Sequence, residues 1–140
     1  MRPAIPRWSD AIHSIGPPSD LARRLEEGSR AGANAAFEAL KPGATSGEID
    51  AACRGAIHKL GLGDYFRHRT GYSIGIGFTT WIDGFSLRPS DPTPIQENMV
   101  FHVVPFLSTG EFAVAISETI LVGAKDNERI VGLEQKIFVR

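Results

Sequence analysis

Cysteine is almost absent: Cys53 is the only one in the 140 residues. A single thiol excludes a disulfide within the chain and fits a reducing compartment. Net charge is nearly absent too, 15 Lys and Arg standing against 16 Asp and Glu for a balance of -1. No electrostatic footprint for nucleic acid or an anionic membrane follows from that balance. No apolar run approaches the length of a membrane span. The opening Met1-Arg2-Pro3-Ala4-Ile5-Pro6 lacks the apolar core of a signal peptide, so a cytoplasmic location is expected. Several catalytic signatures are missing as well. There is no His-Glu-x-x-His, no Gly-x-Ser-x-Gly elbow and no Gly-Lys-Ser/Thr phosphate loop. His13, His58, His68 and His102 have no zinc-like mutual spacing. Internal repeats and low-complexity tracts are likewise absent.

What is present suits one domain over residues 1–140, 42% hydrophobic and long enough to bury a core. A short strand is expected around Ala11 to Ile15, stopped by Gly16, Pro17 and Pro18. Ser19 or Asp20 can then cap a helix running from Leu21 to Leu40. Its inner stripe is Leu21, Leu25, Gly28, Gly32, Ala36 and Leu40, small enough to let the helix lie close to what it covers. Lys41-Pro42-Gly43 breaks the chain, and Thr45 with Glu48 makes a capping box for a second helix. Ile49, Ala52, Cys53, Ala56, Ile57 and Leu60 form its apolar stripe, and Gly61 ends it. Cys53 on that stripe is expected to pack in the core rather than react.

Beyond Gly63 the pattern becomes β. Strands are expected over Tyr72 to Phe78, Met99 to Val104 and Phe112 to Val122, the last two joined by a turn near Ser108, Thr109 and Gly110. Thr79 to Asn98 is a long connection with three prolines. Helices followed by antiparallel strands give an α+β class.

The strand faces carry the candidate chemistry. Val114, Ile116, Glu118, Ile120 and Val122 alternate onto one face, so a carboxylate sits among branched aliphatics. It must be paired, protonated or at the rim of a site, unless the strand leaves it in water. Val100, His102 and Val104 repeat the pattern. With a hairpin about Ser108 to Gly110, His102 and Glu118 are expected on the same concave face, as an acid/base pair or as a structural hydrogen bond. A third candidate is Arg67-His68-Arg69-Thr70-Gly71-Tyr72-Ser73-Ile74-Gly75. Its glycines admit close approach, and its basic residues are either a solvated turn or a hold on a substrate carboxylate.

Four runs together carry a family resemblance. His68-Arg69-Thr70-Gly71-Tyr72-Ser73-Ile74-Gly75 resembles the Gly-His-Gly-Ile-Gly segment of Xaa-Pro dipeptidases and creatinases. Asn98 to Pro105 is similar to their Gly-Met-Val-Phe-x-x-Glu-Pro strand, Ser117 to Val122 to their final Glu-Asp strand, and Lys41 to Asp50 to their inter-helix turn. The resemblance covers about residues 14 to 125 and extends furthest toward the branch that includes ectoine hydrolases. There the matching runs are Arg69 to Gly75, Ser86 to Asp91, Gln96 to His102 and Glu118-Thr119.

The resemblance implies two helices on a curved sheet, the incomplete C-terminal portion of a pita-bread catalytic domain. It implies hydrolysis of a C–N bond, amide or cyclic amidine, in a dipeptide or other small substrate, and a homodimer in the full-length parent. The family's metal site uses two Asp, one His and two Glu. Carried over, its His falls on Tyr72, its first Glu on Val104 and its second Glu on Glu118, while Asp10 is the one acid before residue 16. No family-type metal and no other cofactor is therefore expected. Glu118, His102 and Tyr72 are the expected catalytic residues, with His68, Arg69 and Ser73 toward the substrate. The alternative is a truncated, non-catalytic relative that binds a small molecule or a partner chain.

Overall fold

The computed structural model describes residues 12–75 and 85–140, and for His13 the backbone alone. It opens with β1 (Ile12–Ser14) and then α1 (Asp20–Ala39). Ser19 takes the N-cap, its hydroxyl accepting from the Ala22 N–H at 3.1 Å. The expected small-residue stripe is the buried one: Leu25, Gly28, Gly32 and Ala36 face inward. A Cβ on Gly28 would meet Leu62 Cδ1 at 2.6 Å, and one on Gly32 would meet Ile57 Cδ1 at 2.8 Å. These glycines therefore accept a cost in helix propensity in exchange for close packing.

α2 (Ser46–Lys59) begins with the expected capping box, Thr45 and Glu48 each bonding the other's backbone N–H. Those bonds from Thr45, backbone first and hydroxyl second, hold the Glu48 carboxyl below its ordinary pKa. Ile49, Cys53 and Ile57 are fully buried, and Gly61 closes the helix at φ +71°. Burial pushes the Cys53 thiol up to about 12, in keeping with core packing.

After a short 3₁₀ turn at Gly63–Tyr65 come β2 (Gly71–Ser73), β3 (Ser86–Leu87), β4 (Val100–Val103), β5 (Phe106–Ser108), β6 (Ala113–Ala115), β7 (Glu118–Leu121), β8 (Glu128–Arg129) and β9 (Ile137–Val139). Among the described residues the main sheet runs β3-β2-β4-β7-β8, antiparallel throughout. β5 and β6 form a hairpin, and β1 pairs in parallel with β9. The α+β class is therefore as expected. The strand expected over Tyr72 to Phe78 is described as Gly71–Ser73, and its residues from 76 on lie outside the described part.

The strand expected over Phe112 to Val122 is two strands, and its partner is broken at Pro105. Ser29 of α1 accounts for the break. Its buried hydroxyl accepts from the Ile116 N–H at 2.8 Å and donates to the Pro105 carbonyl at 2.7 Å. A helix side chain thus stands within the ladder, satisfying both backbone groups where the two strands part.

One face of the sheet packs on the helices. Phe101, Val103, Ile120 and Val122 join Leu25, Ala33, Ala36, Ile49, Cys53 and Ile57 in a single buried cluster. Alternate residues of the same strands point to the other face. No helix among the described residues is long and apolar enough to cross a membrane.

Candidate active site

Cross-strand register decides which side chains meet. His102 lies opposite Thr119, and Val103 lies opposite Glu118. An even residue therefore faces an odd one, and His102 and Glu118 are on opposite faces of the sheet. The expectation of a shared face rested on a three-residue turn. The hairpin closes instead between Ser108 and Ala113, leaving the four residues Thr109 to Phe112 in the loop. One extra loop residue shifts the parity of every pair behind it.

Glu118 accordingly turns toward the helices. Its carboxylate accepts from the Arg129 Nε and from the Gln135 side-chain amide. Arg129 in turn donates to Asn34 Oδ1 at 2.9 Å and lies 3.7 Å from the Phe37 ring, both on α1. The buried carboxylate is thus of the paired kind, and its partners tie the segment after β7 to the first helix. It lies on the opposite face of the sheet from His102, where a shared face was expected.

The face away from the helices carries a different constellation. Tyr72 lies directly opposite His102 in the ladder. The Tyr72 hydroxyl is 2.8 Å from His102 Nδ1, and the Ser117 hydroxyl is 2.8 Å from His102 Nε2. His102 is 4% exposed and Ser117 1%. An imidazole held between two hydroxyls at its two nitrogens has a fixed orientation and a proton path at either end.

Arg69 joins this face from the approach to β2. Its guanidinium carbon lies 4.5 Å from the Tyr72 ring centre, and Nη1 donates to the Ser86 hydroxyl at 2.8 Å. Ser86 is the ladder partner of Tyr72, so its side chain shares that face. Arg69 was expected near the substrate, and the structure sets it beside Tyr72. His68 is exposed, with its ring edge-on to Phe106 at 5.2 Å. Ser73 lies opposite Phe101, so it is on the helix side and not on the Tyr72 face. Ser73, expected toward the substrate, is thus set on the face opposite Tyr72.

The segment that delivers Tyr72 is pinned from behind. Arg54 pairs with the buried Asp50 at 2.6 Å and donates to the Phe66 and His68 carbonyls at 3.2 and 2.7 Å. The Thr70 hydroxyl donates to Asp50 Oδ1 at 2.8 Å. Gly71 then lets β2 press on β4: a Cβ there would meet the His102 carbonyl oxygen at 2.5 Å.

Ser117 was not singled out from sequence. The signal that would have found it is loop length, because a four-residue hairpin loop puts 117 rather than 118 on the His102 face. Of the three carried-over positions, Tyr72 and Val104 lie on the His102 face and Glu118 on the helix side. At two of those positions a phenol and an isopropyl group stand in place of the imidazole and carboxylate of the expected donor set. Among the described residues no group of three or more His, Cys, Asp and Glu could hold a metal ion. Among the described residues, Tyr72 and Val104 do not fit the family's metal site. Asp10 lies outside the described residues.

Comparison with known proteins agrees with the fold. Residues 10–124 match the model of metallopeptidase family M24. The Xaa-Pro dipeptidase of Lactobacillus helveticus is 36% identical over 120 residues, 84% of this chain and 32% of that protein. The ectoine hydrolase of Halomonas elongata is 33% identical over 134 residues, 94% of this chain and 33% of its own length. Among solved structures, an X-Pro aminopeptidase from Thermotoga maritima MSB8 superposes with a TM-score of 0.84 at 28% identity. That match covers 94% of this chain and 37% of the other. The chain thus spans about a third of the length of the curated relatives it matches.

Proposed function

This chain belongs to metallopeptidase family M24, and from that premise we propose that it forms one wall of a hydrolase site. The site acts on a C–N bond, amide or cyclic amidine, of a small substrate, and it works without the family's metal. One observation carries this reading: the Tyr72–His102–Ser117 chain of hydrogen bonds on the sheet face away from the helices. An imidazole so held can take a proton at one end and give it up, which is what cleaving a C–N bond requires of a general acid/base. The Arg69 guanidinium beside Tyr72 offers a fork of donors suited to a substrate carboxylate, such as that of a dipeptide. The names of two relatives, Xaa-Pro dipeptidase and ectoine hydrolase, are compatible with that substrate class.

A second reading is favoured by the substituted ligand positions Tyr72 and Val104: a non-catalytic relative that binds a small molecule or partner chain on the same face. One experiment separates the two. Protein is incubated with a panel of Xaa-Pro dipeptides and cyclic amidines, with and without a chelator, and product is followed by NMR. Chelator-insensitive turnover that is lost in His102→Ala is expected. Binding by calorimetry with no turnover of any panel member would favour the second reading. Turnover abolished by the chelator would sink metal independence.

A further inference from the structure

We propose that Ser117 is the nucleophile of this site, with His102 as its base and Tyr72 as the group that orients the base. The inference rests on the hydrolase reading above and goes beyond it by assigning covalent catalysis to a residue that neither the sequence motifs nor the family resemblance singles out. Three features carry it. The first is the 2.8 Å contact between Ser117 Oγ and His102 Nε2, with Tyr72 at 2.8 Å from the opposite ring nitrogen. Nucleophile, base and orienting group are thus in the relationship that activates a serine. The second is rigidity. Ser117 follows Ile116, whose N–H is held by the buried Ser29 hydroxyl, and precedes β7. His102 is fixed within β4 between β2 and β7. A site built on strands in this way keeps its geometry without loop ordering. The third is Arg69, which lies against Tyr72 and can hold the carboxylate of the substrate next to the pair.

For an amide substrate the steps balance as follows. The Ser117 oxygen bonds to the carbonyl carbon while its proton passes to His102 Nε2. The tetrahedral adduct collapses, the C–N bond breaks, and the departing nitrogen takes the proton from Nε2. Water then adds to the acyl carbon with its proton going to Nε2. Finally the acyl–oxygen bond to Ser117 breaks, and the serine oxygen recovers that proton. One water is consumed, and an acid and an amine leave.

A fluorophosphonate probe tests the assignment without knowledge of the substrate. Intact-mass and peptide mass spectrometry should show one adduct, on Ser117. The adduct should vanish in Ser117→Ala, and its rate should fall about a hundredfold in His102→Gln, the range in which a lost general base acts. Ser117→Cys keeps a nucleophile of similar size and should be alkylated by iodoacetamide at a rate that again depends on His102. Circular dichroism and a thermal melt confirm that each variant is folded. No adduct at Ser117, together with His102-independent alkylation of Ser117→Cys, would overturn the proposal. Turnover that survives in folded Ser117→Ala would overturn it while leaving the hydrolase reading in place. Labelling of Ser117 without turnover of any C–N substrate would support the pair and count against the hydrolase reading alone.

Discussion

Glu118 sits directly across the ladder from Val103, and so its carboxylate lies on the helix side of the sheet, bonded by Arg129 and Gln135. Its neighbour Ser117 points the other way, to His102. Two adjacent residues at the start of β7 thus divide the work: Glu118 ties the segment after β7 to α1, and Ser117, just before the strand, faces the candidate site.

Glu118→Gln should therefore behave as a stability mutant. Gln cannot carry the charge that Arg129 meets, but Arg129 is itself 36% exposed, which lowers the loss. A cost of about 1–2 kcal/mol is expected, between the values for exposed and buried pairs. A denaturant titration reads it. Labelling at Ser117 should be unchanged. A variant with unchanged stability and lost labelling would reverse the division of roles drawn above.

Ser29→Ala should cost more than its small size suggests. It removes the hydroxyl that joins the Ile116 N–H to the Pro105 carbonyl and leaves both without that partner in the interior. Leaving buried backbone groups unsatisfied costs about 1–3 kcal/mol. Hydrogen exchange should show the Ile116 amide losing protection before the β4–β7 ladder does. Equal protection in mutant and wild type would refute the role given to Ser29.

Two glycines offer opposite outcomes. Gly71→Ala forces a Cβ to 2.5 Å from the His102 carbonyl oxygen, a backbone atom that cannot swing aside. It should destabilise the protein by about 2 kcal/mol or more, in the range of overpacking, and disturb the Tyr72–His102 contact. Gly55→Ala on α2 meets nothing within 4 Å and should stabilise by up to about 1 kcal/mol through helix propensity. Thermal melts of the two variants, moving in opposite directions, check both.

Cys53 should be silent toward thiol reagents at pH 8 in the native protein and react once the chain is unfolded. Burial pushes its pKa up to about 12. The sign follows from linkage: below the unfolded value near 9 both states hold the proton, and nothing is lost. As pH rises from there toward 12 only the unfolded state ionises, so stability should fall. Cys53→Ala should remove that part of the alkaline loss, measured as the difference between the two proteins' stability against pH.

Much of the architecture was legible in the chain because it depends on neighbours in sequence. The Ser19 cap, the Thr45–Glu48 box, the stripe of Gly28 and Gly32 and the buried face of α2 each rest on spacings of three or four residues, which the helix itself fixes. The alternation that places Glu118 with Ile120 is equally local. Which strand face meets which is not local. It turned on whether three or four residues close the loop at Thr109 to Phe112, a difference that the residue types there do not announce. That one residue sends Glu118 to Arg129 and brings Ser117 to His102. The insertion of Ser29 between Pro105 and Ile116 is beyond local pattern for a related reason, since a helix hydroxyl 76 residues away in sequence completes the ladder. The sequence by itself determined the elements, their caps and the inward stripe of each. Only the tertiary structure decided the partners across strands, because pairing register couples residues that no short-range period connects.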